Sequence, residues 1–167
     1  RLGAQLTLAG DTPFYMSGYH NVLQLKRAIY ESLGGSSSMR GVMRCRVLSR
    51  GFAVANFEMR LKLAKFDVGS QHFYIAVNPL LDMGMVLQPF DIDEQEVRTA
   101  VAATGDNADD YFKFGKSDIY RPHASGGMGL KVAMNENFIF SVDWATPFNE
   151  QDNGKKSNLY IKMGYLF

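Results

Sequence analysis

The stretch FIFSVDWATP, residues 138–147, alternates from Phe140 onward. Phe138, Phe140, Val142 and Trp144 fall on one side of an extended chain, and Ser141, Asp143 and Ala145 fall on the other. A period of two is the mark of a β-strand with unlike faces. Its length falls within the ~9–11 residues that a tilted strand needs to cross a bilayer.

The same alternation recurs along the chain. SNLYIKMGYLF (157–167) sets Leu159, Ile161, Met163, Tyr165 and Phe167 against Asn158, Tyr160, Lys162 and Gly164. GGMGLKVAM (126–134) sets Met128, Leu130, Val132 and Met134 against Gly127, Gly129, Lys131 and Ala133. AVANFEMRLKL (53–63) sets Ala55, Phe57, Met59, Leu61 and Leu63 against Asn56, Glu58, Arg60 and Lys62. HFYIAVNPLLDMGM (72–85) sets Phe73, Ile75, Val77, Leu81 and Met83 against Asn78, Asp82 and Gly84. RLGAQLTLA (1–9) sets Leu2, Ala4, Leu6 and Leu8 against Gly3, Gln5 and Thr7. The expectation is an all-β, antiparallel chain of six strands.

The polar faces carry Glu58, Arg60, Lys62, Asp82, Lys131, Asp143 and Lys162. A soluble sandwich can turn such a face to water. The connections favour a transmembrane β-barrel instead. Short turns (KFDVGSQ, NEN) alternate with long loops at about 10–52, 89–123 and 149–156. That is the pattern of short periplasmic turns and long extracellular loops, and it puts Phe167 on the periplasmic side. An ordinary antiparallel sandwich is the alternative.

Composition agrees. The 167 residues carry a formal net charge of +1, which argues against a nucleic-acid binder, whose domain would be strongly basic. The single Cys45 cannot form an internal disulfide. His20, His72 and His123 lie too far apart in sequence for zinc-ligand spacing. No apolar run reaches the ~18 residues of a transmembrane helix, and no signal peptide is evident. The opening Arg1 suggests a processed protein or a fragment. A mean hydropathy of −0.16 does not exclude a barrel, because a polar lumen-facing set dilutes the apolar one. Aromatic residues at 13% and 16 glycines fit that class.

Two helices are expected inside the long loops, one over NVLQLKRAIYESL (21–33) and one within EQEVRTAVAATGDNADD (94–110). LGGSSSMRGVMRCR (33–46) reads as a small-residue hinge, Gly34–Gly35, that delivers Arg40 to a fixed place. It is no phosphate loop, since no Gly-Lys-Ser/Thr follows, and no serine sits in a Gly-x-Ser-x-Gly elbow. The carboxylate pairs Asp91/Asp93 and Asp109/Asp110 read as solvated surface. No catalytic residue, metal site or cofactor is expected. Arg40, Arg44, Arg46 and Arg50 form a basic cluster suited to phosphate or lipopolysaccharide headgroups.

GGSSSMRGV, ANFEMRLKL, NPLLDMGMV, a glycine-rich strand and a final hairpin ending in GYLF follow one another in that order, with PFY (13–15) ahead of them. This series resembles the C-terminal part of the BamA/TamA superfamily of outer-membrane insertases, the bacterial surface-antigen barrel. The family pattern is Gly-Gly-x-x-x-(Val/Leu)-Arg-Gly-(Phe/Tyr), then an acidic residue on the next strand and Asp-x-Gly on the one after. Met39 and Val42 depart from it, and both stay apolar. The family barrel has sixteen strands, and the six here resemble its last six. Six strands do not close a barrel of this type, so the chain is expected to be part of a longer one, or several copies would have to close one together. The family's periplasmic POTRA domains have no counterpart in residues 1–167.

The resemblance implies that the loop at about 10–52 folds into the lumen. There Arg40, Gly41 and Val42 at its tip would be locked to Glu58 and Asp82. It also implies a non-enzymatic role in inserting or translocating outer-membrane proteins, with a weak seam at the last strand near Gly164. Tyr165 and Phe167 would serve as the C-terminal assembly signal. The implied surroundings are the bacterial outer membrane, its lipid and lipopolysaccharide. Unfolded barrel-protein clients and accessory lipoproteins are the implied partners. A passive barrel or pore sharing the fold is the alternative function.

Overall fold

The computed structural model describes residues 1–10, 19–20, 29–30, 32–91, 93–111, 120–135, 137–154 and 156–165. Pro13–Tyr15 and Phe167 lie outside them, as does most of the helix expected over 21–33. The described part of that segment is not helical. Ile29–Tyr30 pairs with Tyr19–His20 as a two-stranded ribbon.

The rest is one antiparallel sheet of seven strands. Its members are β1 (Leu2–Gln5), β4 (Gly51–Glu58), β5 (Leu61–Val68), β6 (Gln71–Gln88), β7 (His123–Met134), β8 (Phe138–Pro147) and β9 (Asn158–Tyr165). The ribbon supplies β2 (Tyr19–His20) and β3 (Ile29–Tyr30). The order is β1-β4-β6-β7-β8-β9, with β5 beside β6, and the sheet is not closed into a barrel. Among the described residues three short helices lie in the connections: α1 (Glu94–Ala102), α2 (Ala108–Tyr111) and α3 (Glu150–Asn153). None is long and apolar enough to cross a membrane, which bears on helices alone.

Seven strands replace the six expected because 53–63 is not one strand. β4 pairs with Leu80–Gln88 of β6 and β5 with Gln71–Val77. Opposite the gap stands Pro79, which has no N–H to give to the ladder. Only its carbonyl is used, accepting from the Met59 N–H at 3.1 Å. A second irregularity falls between Lys62 and Ala64. Leu63 is absorbed as a bulge there, and the parity of the strand resets. Leu61, Ala64, Phe66 and Val68 then share the face of Val77, Ile75 and Phe73, and the rings of Phe66 and Phe73 stack 5.4 Å apart.

Burial runs opposite to that of an ordinary half-buried sheet, which hides its apolar face. Phe57 is 64% exposed, Trp144 51% and Ile161 62%. The polar face is the hidden one: Asn78, Asp82, Ser125 and Asp143 are buried. The segment 32–50 covers it. Leu33, Met39 and Val42 of that segment are fully buried, and Leu33 packs with Phe52 and Val54 of β4. Gly84 of β6 makes room for this cover. A Cβ there would stand 3.0 Å from Leu33 Cδ2 and 3.1 Å from Met39 Sδ.

The 94–110 segment contains a helix as expected, α1, followed by a turn and the start of α2. Asp93 caps α1 by accepting from the Gln95 N–H at 2.9 Å. Arg98 joins α1 to α2 through Asp109, at 2.8 and 3.0 Å. Its hydrogen bonds hold the Asp109 carboxyl below the usual range.

Phe52→Ala should empty the contact between β4 and the covering segment, at a cost of about 3–5 kcal/mol. Equilibrium denaturation measures it; a loss under about 1 kcal/mol would mean that the segment does not pack there.

Candidate functional site

The covering segment is shaped by its own small residues. Ser38 Oγ donates to the Gly34 carbonyl and accepts from the Gly34 N–H, each at 3.1 Å. The Met39 N–H returns to the Gly35 carbonyl at 3.2 Å. Gly34 has φ +119°, and a Cβ on it would sit 2.0 Å from the Met43 carbonyl oxygen. Only glycine fits that turn. The turn aims Arg40 at the polar face of the sheet.

Sheet register decides what Arg40 meets. One row across the strands runs Asn56–Asp82–Ser125, and another runs Asn78–Gly129–Asp143–Tyr160. Asp82 takes three hydrogen bonds from Arg40: from the backbone N–H at 2.9 Å, Nε at 2.9 Å and Nη2 at 3.1 Å. Nη1 donates to Glu58 Oε2 at 3.0 Å and to Asp143 Oδ2 at 3.3 Å. The planar fork suits this, since two nitrogens reach both oxygens of Asp82 and leave a third for two further carboxylates. The Arg40 carbonyl in turn accepts from Ser125 Oγ. Lys131 Nζ donates to the other oxygen of Glu58.

Charges balance within the network. Glu58, Asp82 and Asp143 face Arg40, Lys131 and the more exposed Arg60. Burial alone would loosen the proton on Arg40. The hydrogen bonds and charge of Asp82, then of Glu58, outweigh it and raise the pKa further above its ordinary value. The guanidinium therefore stays charged.

Gly41 closes the tip. Its φ is +89°, and a Cβ would come within 2.9 Å of Ser125 Cβ and 3.1 Å of the Thr146 carbonyl carbon. Its N–H donates to Tyr160 Oη at 2.9 Å, and its carbonyl accepts from Asn158 Nδ2 at 3.2 Å. The buried Val42 accepts from the Gly35 N–H at 3.1 Å.

Arg40, Gly41, Glu58 and Asp82 thus come together, with Val42 beside them and Gly34–Gly35 at the turn. Gly164 lies apart in β9, exposed, with open space where a Cβ would be. Tyr165 ends β9 opposite Phe138, and its side chain falls outside the described residues, as does Phe167. The basic cluster divides. Arg40 is buried, whereas Arg44 is exposed and Arg50 donates to the Gly10 carbonyl at 3.0 Å. Asp143, Lys131, Ser125, Asn158 and Tyr160 were not expected at the tip. Alternation placed Asp143, Lys131, Asn158 and Tyr160 on polar faces; register, which alternation does not carry, puts them in reach. Among the described residues no group of His, Cys, Asp or Glu could hold a metal ion.

Comparison with protein-family models, curated proteins and solved structures gives no match. The geometry alone defines the class: an antiparallel sheet whose polar face holds an arginine-tipped loop.

Asp82 is fully buried, while the Glu58 side chain is 22% exposed. Asp82→Asn should therefore cost about 3–5 kcal/mol, as expected for breaking a buried pair, and Glu58→Gln clearly less. Denaturant titration of the two variants checks the order, and the reverse order would mean that Asp82 is not the principal partner.

Proposed function

We propose that this chain is one wall of an outer-membrane β-barrel of the BamA/TamA type, and that it acts in inserting or translocating outer-membrane proteins. The carrying observation is the reversed burial: apolar side chains outward on strand after strand, charge inward. In water such a surface is a large exposed apolar patch. In a bilayer it is a solvated one, and the polar face becomes a lumen wall. The loop bearing Arg40 supports the narrower reading, because a long connection bound to that inner face is what the family resemblance implies.

On this reading the barrel is completed by strands beyond these seven. The turns at Gly69–Ser70 and Asn135–Asn137 face the periplasm, as does the C-terminus, and the long connections face outward. Outward side chains contact lipid, and the outer rim meets lipopolysaccharide. No bond is made or broken. Unfolded barrel clients, delivered with accessory lipoproteins, would use the edge of β9 that has no strand partner among the described residues, and its end beyond Lys162 carries the exposed Gly164. Glycine weakens a strand there.

One reconstitution tests both levels. In vesicles of brominated lipid, the emission of Trp144 should be quenched, while an aqueous quencher should have little effect; the opposite result removes the membrane assignment. In plain vesicles the protein should speed the insertion of a small client barrel, and Arg40→Lys should lower that gain about tenfold by loosening the loop. Client insertion at the spontaneous rate would leave a passive barrel.

A further inference from the structure

We propose that β9 and the tip of the loop form a latch, so that detaching β9 from the sheet loosens the tip and loosening the tip weakens the hold on β9. The proposal needs only the sheet and the loop, not any activity. β9 is the last strand of the sheet, and among the described residues its only strand partner is β8. Asn56 of β4, Asp82 of β6 and Ser125 of β7 each hold the loop main chain at one point, whereas the first three inward side chains of β9 all do so. Asn158 Nδ2 donates to the Gly41 carbonyl at 3.2 Å, Tyr160 Oη accepts from the Gly41 N–H at 2.9 Å, and Lys162 Nζ donates to the Ser36 carbonyl at 2.6 Å.

The gripping side chains are themselves oriented. Asn153 Nδ2 donates to Asn158 Oδ1 at 2.9 Å, which turns the Asn158 amide nitrogen toward the loop. Asn158 Nδ2 also donates to Tyr160 Oη at 3.2 Å. From the connection before β9, the Asp152 carbonyl accepts from the Met43 N–H at 3.0 Å. The fourth inward position is Gly164, with no side chain to grip anything. The latch therefore ends at Lys162, and the last ladder pairs, Ile139 with Gly164 and Phe138 with Tyr165, lie beyond it.

Contacts of this kind couple two segments in both directions, because a coupling free energy is reciprocal. Strand-side variants should loosen the loop and loop-side variants should loosen the strand. The partners on the loop are backbone groups, so Tyr160 and Lys162 are where the coupling can be cut without altering the loop's own sequence.

Amide hydrogen exchange of the protein in lipid vesicles, read by mass spectrometry on segments 34–43 and 157–165, tests this. Tyr160→Phe and Lys162→Met should each speed exchange in 34–43 by about three- to tenfold, the size expected for one lost hydrogen bond. In the other direction, Ser38→Ala loosens the turn at Gly34. It should speed exchange at the β8-paired amides of 158–162 by a similar factor, while the β6–β7 ladder and Gly164–Tyr165 keep their rates. Arg40→Lys should also speed exchange at 158–162, together with the β6 amides around Asp82; if it does not fold, Ser38→Ala and Lys162→Met decide. Faster exchange confined to the segment that carries the substitution would overturn the latch. No client is present, so the result does not depend on whether the protein proves to be an insertase.

Discussion

The structure turns on one cation. Arg40 sits buried among Asp82, Asp143 and Glu58, and two of those carboxylates are almost wholly hidden from solvent. Hidden carboxylates need a partner, because desolvating a charge is costly. The partner comes from a loop, not from a neighbouring strand. Sheet and loop are therefore not separable: without the loop, the sheet buries unpaired charge, and without the carboxylates, Arg40 has no reason to leave water. A network of this kind adds little net stability over an apolar core. What it fixes is position, since no slipped placement of the loop returns the guanidinium to all three acceptors.

The second constraint follows from the first. With the polar face occupied by the loop, the apolar face is left outward, and Phe57, Trp144 and Ile161 stay exposed. An apolar face of this extent marks a surface that is covered by something other than water; the proposed barrel covers it with lipid. The glycines fit the same logic. Gly41 and Gly84 lie where the loop backbone or its side chains come within van der Waals contact of the sheet. A larger residue at either would lift the cover.

Much of this could be read from the sequence. Alternation located six of the seven strands of the sheet and assigned most side chains to the correct face, including Glu58, Asp82, Asp143 and Lys131; it missed β5, whose Lys65–Val68 lie in the stretch KFDVGSQ that read as a turn. Two features escaped it. Pro79 lies on β6 but interrupts the strand opposite, so its effect is invisible within the stretch that it divides. Leu63 is apolar and in phase with Leu61, and only the pairing with β6 shows it to be a bulge. The site was half legible for the same reason. Arg40, Glu58 and Asp82 came from the family resemblance, with Glu58 and Asp82 already inward by pattern. Asp143 and Tyr160 belong because register sets them in one row with Asn78 and Gly129. Ile29–Tyr30 shows the limit of helical periodicity, since the pattern suited a helix and the backbone pairs as a strand.

The central claim is that Arg40 and Asp82 act as a unit that holds the loop on the polar face of the sheet. A double-mutant cycle with Arg40→Met and Asp82→Asn, read by denaturant unfolding of the protein in lipid, measures it most directly. The account predicts that the double variant is less damaged than the two single variants summed, by about 2 kcal/mol or more, within the range found for residues in direct contact. Additivity to within about 0.5 kcal/mol would contradict it.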